Sequence, residues 1–342
     1  MDGAALGTRL RKRDLSAAPD ALNLLESTTA ADRTQAAALL AEVSPAALGH
    51  EAPGHIVGVT GPPGAGKSTL LSALLRAWRD GAAGGGTGGP DGSAAPERIG
   101  GRTVAMLAVD PSSRRSGGAL LGDRARIDFD PADPGVFIRS TSAGEQLGGL
   151  AFGTRAAAQA LAGAFDVVVI ETVGVGQAET DVADVADTVV VVVQPGSGDV
   201  LQFLKSGIME IPDVLVVTKA DLGQVAMRTR RDLSAALRSL GARSTKVIAV
   251  SSLSPPTGVS ELVDALDRHR ADLDLRAHRL RSRRASALVE YAREHGERGM
   301  GAVGGRRAAQ AILAGQDPGA DVPSLVHALE RQAMAGQDPA NG

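Results

Sequence analysis

A chain of 342 residues with an apolar fraction of 43% can form one large domain or two, with ample material for a buried core. Aromatic residues make up only 2%, which argues against single-stranded nucleic-acid binding on stacked rings, and the formal net charge of -3 argues equally against a dedicated DNA or membrane-surface protein. With no cysteine there is no disulfide, no thiolate nucleophile and no thiolate-ligated zinc.

At the N-terminus the basic patch Arg9, Arg11, Lys12 and Arg13 is not followed by an apolar stretch, so no secretory signal is expected. No apolar run approaches the roughly 20 residues that cross a bilayer, and a soluble cytoplasmic protein is the expectation. Residues 1–50 read as a helical lead-in with helices at Ala21–Ser27 and Arg33–Val43. Strands are predicted at His55–Thr60, Thr103–Asp110, Val136–Arg139, Asp166–Glu171, Thr188–Gln194, Val214–Thr218 and Lys246–Val250. Several are nearly continuous Val and Ile without alternation, the pattern of strands buried on both faces. Helical patterns at Leu70–Trp78, Gly144–Ala162, Val200–Met209 and Leu222–Leu240 lie between them. The order βαβα over 51–270 predicts an α/β domain with a doubly wound, mostly parallel sheet. Asp80–Glu97 is low in complexity and reads as a flexible surface loop. Residues 271–335 read as an Arg-rich helix (His278–His295), a Gly-rich break (Gly296–Gly305) and two further helical pieces, either an exposed charged arm or a dimerisation arm. The tail 336–342 is expected to be disordered.

Between the first strand and the first interstrand helix stands GPPGAGKST: Gly61, Pro62, Pro63, Gly64, Ala65, Gly66, Lys67, Ser68 and Thr69. It fits GxxxxGK[ST], in which backbone N–H groups surround a polyphosphate, the lysine reaches the β- and γ-phosphates, and the hydroxyl of Ser68 can ligate Mg²⁺. The positive end of the following helix dipole faces the same anion.

TKAD at Thr218–Asp221 ends a later strand. A carboxylate there can accept from guanine N1 and the 2-amino group while the Lys219 stem lies along the base. Adenine, with an acceptor at N1 and no 2-amino donor, would face it acceptor to acceptor, so Asp221 is the expected specificity residue. Ser251, Ser252 and Leu253 at a further strand end could offer backbone N–H groups to guanine O6.

Metal and water handling are expected from carboxylates at other strand ends. DVVVIETVGVGQ (Asp166–Gln177) delivers Glu171 beside the phosphates, and Gly174 and Gly176 let the backbone after it move with the γ-phosphate. Asp110 ends the strand before Pro111, and Asp123 follows in LGDR. Ser68 with one to three of Asp110, Asp123 and Glu171 suffices for Mg²⁺, which keeps several waters. Lys67 and the metal would neutralise charge on the γ-phosphate while water attacks, with Gln177 as a candidate to position that water.

GPPGAGKST, AVDPSS (Ala108–Ser113), GGALLGDRARI (Gly117–Ile127), ETVGVGQAE (Glu171–Glu179), PGSGDVLQ (Pro195–Gln202), KSGIMEIPDV (Lys205–Val214) and TKAD together resemble the MeaB/ArgK family of P-loop GTPases. The resemblance runs in order from about Leu22 to about Leu266. It implies a G domain of SIMIBI type that binds GTP or GDP with Mg²⁺. It also implies a homodimeric chaperone that couples GTP hydrolysis to cofactor loading and protection of an adenosylcobalamin-dependent acyl-CoA mutase, such as methylmalonyl-CoA mutase. On this likeness switch I covers about Asp110–Ile127, switch II about Glu171–Glu179, and a segment at about Gln194–Met209, with Gln202 and Lys205, addresses the mutase.

Three features depart from the family pattern. Thr218 stands where the guanine motif usually begins with Asn, so part of an amide's bonding to the phosphate loop is lost. Gly81–Gly92 looks like an insertion, and Ser140–Gly149 follows the family's Ser/Gly turn only loosely. A nickel-insertion GTPase is a rival reading, but it needs Cys or His ligands near the loop or switches, and His50 and His55 form no ligand pattern. An ATP-dependent small-molecule kinase is the second rival, opposed by Asp221.

Overall fold

The computed structural model describes residues 1–81, 101–110, 127–142, 152–172, 178–196, 212–242 and 244–335. The helices expected at Val200–Met209 and the first part of Gly144–Ala162 lie outside these residues, as do most of the loop Asp80–Glu97 and the tail 336–342. The chain forms two compact units. One comprises Met1–Gly54, Ala151–Ala164 and Asp274–Gly342, the other His55–Leu150 and Phe165–Leu273.

The second unit holds a parallel sheet of β1 (His55–Thr60), β2 (Val104–Asp110), β3 (Val136–Ser142), β4 (Val167–Thr172), β5 (Thr188–Val193), β6 (Val214–Val217) and β7 (Lys246–Ala249). Their order is β3-β2-β4-β1-β5-β6-β7. Every residue of β1, β4 and β6 is buried, as the unbroken apolar runs require. On one face Val57, Val59, Val169, Val190, Val192, Val214 and Val216 pack with leucines of the helix Lys67–Arg79 and of the helix Val259–Asp272. On the other, Val191, Val193, Leu215 and Val217 meet Ala226, Leu233 and Leu237 of the helix Gln224–Ser239. Strands with side chains on alternating faces therefore need apolar residues at every position. Burial of each fully enclosed leucine, such as Leu70, Leu71 or Leu74, contributes roughly 1.5–3 kcal/mol.

In chain order the helices are α1 (Gly3–Arg11), α2 (Ala18–Glu26), α3 (Ala30–Glu42), α4 (Pro45–Leu48), α5 (Lys67–Arg79), α6 (Phe152–Leu161), α7 (Ala178–Ala183), α8 (Gln224–Ser239), α9 (Val259–Asp272), α10 (Leu275–Ala302), α11 (Gly305–Ala314) and α12 (Val322–Ala335). Of these α7 and α9 have no counterpart in the sequence reading, and α1 and α4 fall in the expected lead-in 1–50 without a helix assigned to them there. Asp2 caps α1 through Ala5 N, and two basic residues at its end are paired, Arg9 with Asp14 just beyond the helix at 2.8 Å and Arg11 with Glu42 of α3 at 3.3 Å. The first unit joins α1–α4, α6 and α10–α12, so the N-terminal and C-terminal helical segments belong to one packed body. Within it α10 clasps the segment before β1: Arg279 donates to Ala52 O and Gly54 O, and Arg283 forks onto the Glu51 carboxylate at 2.7 and 2.9 Å. The Gly-rich break is narrower than expected: Gly296 leaves helical geometry at φ 60°, ψ -160°, but helix resumes after it and runs to Ala302. Among the described residues no helix is long and apolar enough to cross a membrane.

Candidate nucleotide site

The strand order places β4 on one side of β1 and β5 on the other, and the chain crosses between the two halves of the sheet here. Crevices at the carboxyl ends of such strands are where α/β sheets bind ligands. Thr60 ends β1 and Gly61 begins the loop with φ 146°. A Cβ on Gly61 would lie 2.1 Å from the Val192 carbonyl oxygen, so only glycine lets the loop start against β5. Gly66, left-handed at φ 87°, sits at the N-cap of α5, and no side chain caps that helix. Its first N–H groups are thus arranged for an anion.

Lys67 is buried, and its ammonium group bridges its own loop, donating to Gly61 O at 2.7 Å and Pro62 O at 3.3 Å. Pairing of Val59 with Glu171 carries the acid to the start of the loop. There the Ser68 hydroxyl lies 3.5 Å from Glu171 Oε1, and Glu171 is 6% exposed. A hydroxyl and a carboxylate, both hard oxygen donors on neighbouring elements, fit Mg²⁺. Ser72 secures this turn, donating to Ser68 O at 3.0 Å and accepting from Asp128 N at 2.9 Å. Asp110 ends β2, one residue past the Val109–Thr172 pair, which puts its backbone at the same edge; nothing is described of its side chain. Asp123, Gln177, Gln202 and Lys205 lie outside the described residues, as does most of both expected switches.

The opposite end of the crevice is built on β6 and the turn after β7. Thr218 is buried; its hydroxyl lies 2.6 Å from Ala65 O and 3.0 Å from Val193 O. A hydroxyl has one proton to give, so the shorter contact to the phosphate loop takes most of it. The base-end strand is therefore tied directly to the loop by a residue of the unusual type. Lys219 adopts the left-handed region at φ 53°, and its Nζ donates to Gln194 Oε1 at 2.8 Å. Asp221 accepts from the Ser251 hydroxyl at 2.8 Å, which orients the carboxylate.

One expected role changes here. The Ser251 N–H is taken by Thr257 O at 3.0 Å, so Ser251 meets Asp221 through its side chain, and the Leu253 N–H in turn lies 3.4 Å from the Ser251 hydroxyl. Sequence reasoning did not place Gln194, Ser72 or the Ser251 hydroxyl in the site. A polar residue just past an apolar strand is the only signal for Gln194, and none exists for Ser72 in mid-helix.

The model of the family described as methylmalonyl-CoA mutase-associated GTPase MeaB matches residues 18–84 and 95–299. A protein named as a probable GTPase in Mycobacterium tuberculosis H37Rv is 40% identical over 273 residues, covering 78% of this chain and 74% of its own. The mouse protein named methylmalonic aciduria type A homolog, mitochondrial, is 35% identical over 277 residues, covering 76% of this chain and 61% of its own. Among solved structures, one titled LAO/AO transport system kinase has a TM-score of 0.60 at 24% identity, covering 97% of this chain and 96% of that one, a likeness of fold. The phosphate loop, the sheet that carries it and these matches together make the chain a GTPase of the MeaB family, associated by name with methylmalonyl-CoA mutase.

Proposed function

We propose that this GTPase is a chaperone for an adenosylcobalamin-dependent acyl-CoA mutase, methylmalonyl-CoA mutase or a relative, and that GTP binding and hydrolysis are coupled to cofactor loading and protection of the mutase. The observation that carries the reading is the family match across residues 18–84 and 95–299, which spans the G domain and reaches into α10. The mouse relative's name, which refers to methylmalonic aciduria, points to the same metabolism.

In this reading the N–H groups of Gly61–Thr69 cradle the phosphates, and Lys67 exchanges its bonds to Gly61 O and Pro62 O for phosphate oxygens as water attacks. Mg²⁺, held by Ser68 and Glu171 with Asp110 and Asp123 as further candidates, would neutralise charge on the phosphates. Asp221, aligned by Ser251, reads guanine N1 and N2, and Gln177 positions water. The segment Gln194–Met209 and the switches face the mutase, and residues 271–335 contribute to a homodimer in the cytoplasm. The nickel-insertion alternative finds no support from histidine. His50 and His55 lie before and at the start of β1, away from the loop that follows its other end, with His50 Nδ1 at Glu51 O and His55 Nε2 at Thr188 Oγ1.

The experiment is a GTP and ATP titration with phosphate release, alone and with candidate mutases. Turnover of GTP that rises when a cobalamin mutase is added is the expected result. Recovery of no cobalamin enzyme in a pull-down at saturating GTP would count against the chaperone role. Equal use of ATP, or unchanged hydrolysis by Lys67→Ala, would overturn the site.

A further inference from the structure

The first unit carries a group of side chains for which neither the nucleotide site nor the proposed chaperone role has a use. Glu294 and His295 close the first part of α10 just before the Gly296 break, and Glu330 and His327 lie one turn apart on α12. His295 Nε2 is 3.1 Å from Glu330 Oε1, and His327 Nδ1 is 3.0 Å from Glu330 Oε2. One ligand atom each from Glu294, His295 and Glu330 falls within 4.8 Å of the others.

These spacings approach those of a coordination shell. Ligand atoms about 2.0–2.2 Å from a tetrahedral zinc ion stand about 3.3–3.6 Å from one another. The atoms here, within 4.8 Å of one another, would close up by roughly 1 Å to share one ion. Imidazole nitrogen with carboxylate oxygen is a donor set suited to Zn²⁺ and its neighbours rather than to Mg²⁺. The His295 ring is held in orientation by Tyr291, whose ring centroid lies 4.6 Å away and whose hydroxyl donates to Gly299 O at 3.1 Å. Tyr291 itself is buried in the apolar cluster that joins α10 and α12. Glu294 meets Arg33 at 3.3 Å and Glu330 meets the two imidazoles, so a dication would add positive charge between the two carboxylates.

We propose that Glu294, His295 and Glu330, with His327 at the rim, form a binding site for a divalent transition metal that pins α10 to α12. Metal would replace the imidazole–carboxylate hydrogen bonds, with His295 coordinating through Nε2 and its proton moved to Nδ1.

Tyr291 is the single tyrosine of the chain, which makes the test local. Protein labelled with ¹³C in tyrosine, saturated with GDP and Mg²⁺, is titrated with Zn²⁺ and then with Co²⁺. Saturable movement of the ring signal with Zn²⁺, and its paramagnetic shift or broadening with Co²⁺, are expected. The variants H295Q and E330Q should keep a folded far-UV spectrum and bind Zn²⁺ at least about tenfold more weakly by calorimetry. An immobile Tyr291 signal, or equal Zn²⁺ affinity in both variants and the parent, would overturn the proposal. If either variant unfolds, H327Q and E294Q supply the comparison, and the same criteria apply.

Discussion

In the proposed nucleotide site Thr218 and Asp221 divide the work at the base end. Replacing Thr218 by Val keeps its shape but removes the donor to Ala65 O, leaving a buried carbonyl with less than its bonding; a loss of about 1–3 kcal/mol is expected, read as weaker GDP binding and a lower melting temperature. Asp221→Asn exchanges one acceptor oxygen for an NH₂ donor. That donor opposes the guanine 2-amino group and suits the C2 carbonyl of xanthine. GTP affinity should fall by about tenfold to a hundredfold, or about 1.4–2.8 kcal/mol, while xanthosine triphosphate gains, as checked by competition binding. Lys67→Ala should abolish measurable turnover while the protein keeps a folded far-UV spectrum, because the ammonium group it removes lies in the loop, at Gly61 O and Pro62 O, and not in the sheet core. The motif residues were legible in the sequence because the chemistry of phosphate and guanine prescribes residue types at short spacing. Ser72 and the Ser251 hydroxyl were not, since their partners, Asp128 and Asp221, lie far away along the chain and only the fold brings them near.

At the scale of elements the strands were readable to within a residue at most ends, because central parallel strands must be apolar on both faces. The helix α1 was not. Its Gly3 and Gly7 lower helix propensity, and each lies against α3: a Cβ would come 1.8 Å from Gln35 O at Gly3 and 2.6 Å from Leu39 O at Gly7. Glycine is there to let two helices approach, which no local propensity reports. Gly7→Val should therefore destabilise the helical unit by about 1–3 kcal/mol, visible as a lowered thermal midpoint, while GTP turnover at low temperature is retained. On α10 the buried fork between Arg283 and Glu51 is a second such case. Arg283→Met leaves a buried carboxylate without its cation and should cost about 3–5 kcal/mol in chemical denaturation.

Stability of the whole molecule should depend on pH through a polar chain at the amino ends of the strands, opposite the nucleotide. His55 Nε2 meets Thr188 Oγ1 at 2.8 Å, Thr188 Oγ1 meets His269 Nδ1 at 2.8 Å, and His269 Nε2 meets Asp213 Oδ1 at 3.1 Å. The bond to Asp213 raises the pKa of His269 above its ordinary value, with the charges of Asp213, Asp272 and Asp187 adding and burial opposing. Arg270, on the same helix, lies 3.7 Å from Asp187. A value raised by folding means that the protonated ring favours the folded state. Its contribution is complete below about pH 6.5 and is lost as pH rises through the folded value. Denaturation midpoints should fall across that range, and His269→Gln should flatten the slope. From its residues alone the sequence determined the parallel α/β class and the phosphate loop, and offered Asp221 as the carboxylate proposed to read guanine, because each is written in periodicity or in contiguous motifs. Only the tertiary structure decided that the two terminal segments form one unit, that Glu171 reaches Ser68, that Thr218 bonds the phosphate loop and that α10 meets α12 at a cluster of histidine and glutamate. Each of these is a contact between residues distant along the chain, set by packing that no local pattern encodes.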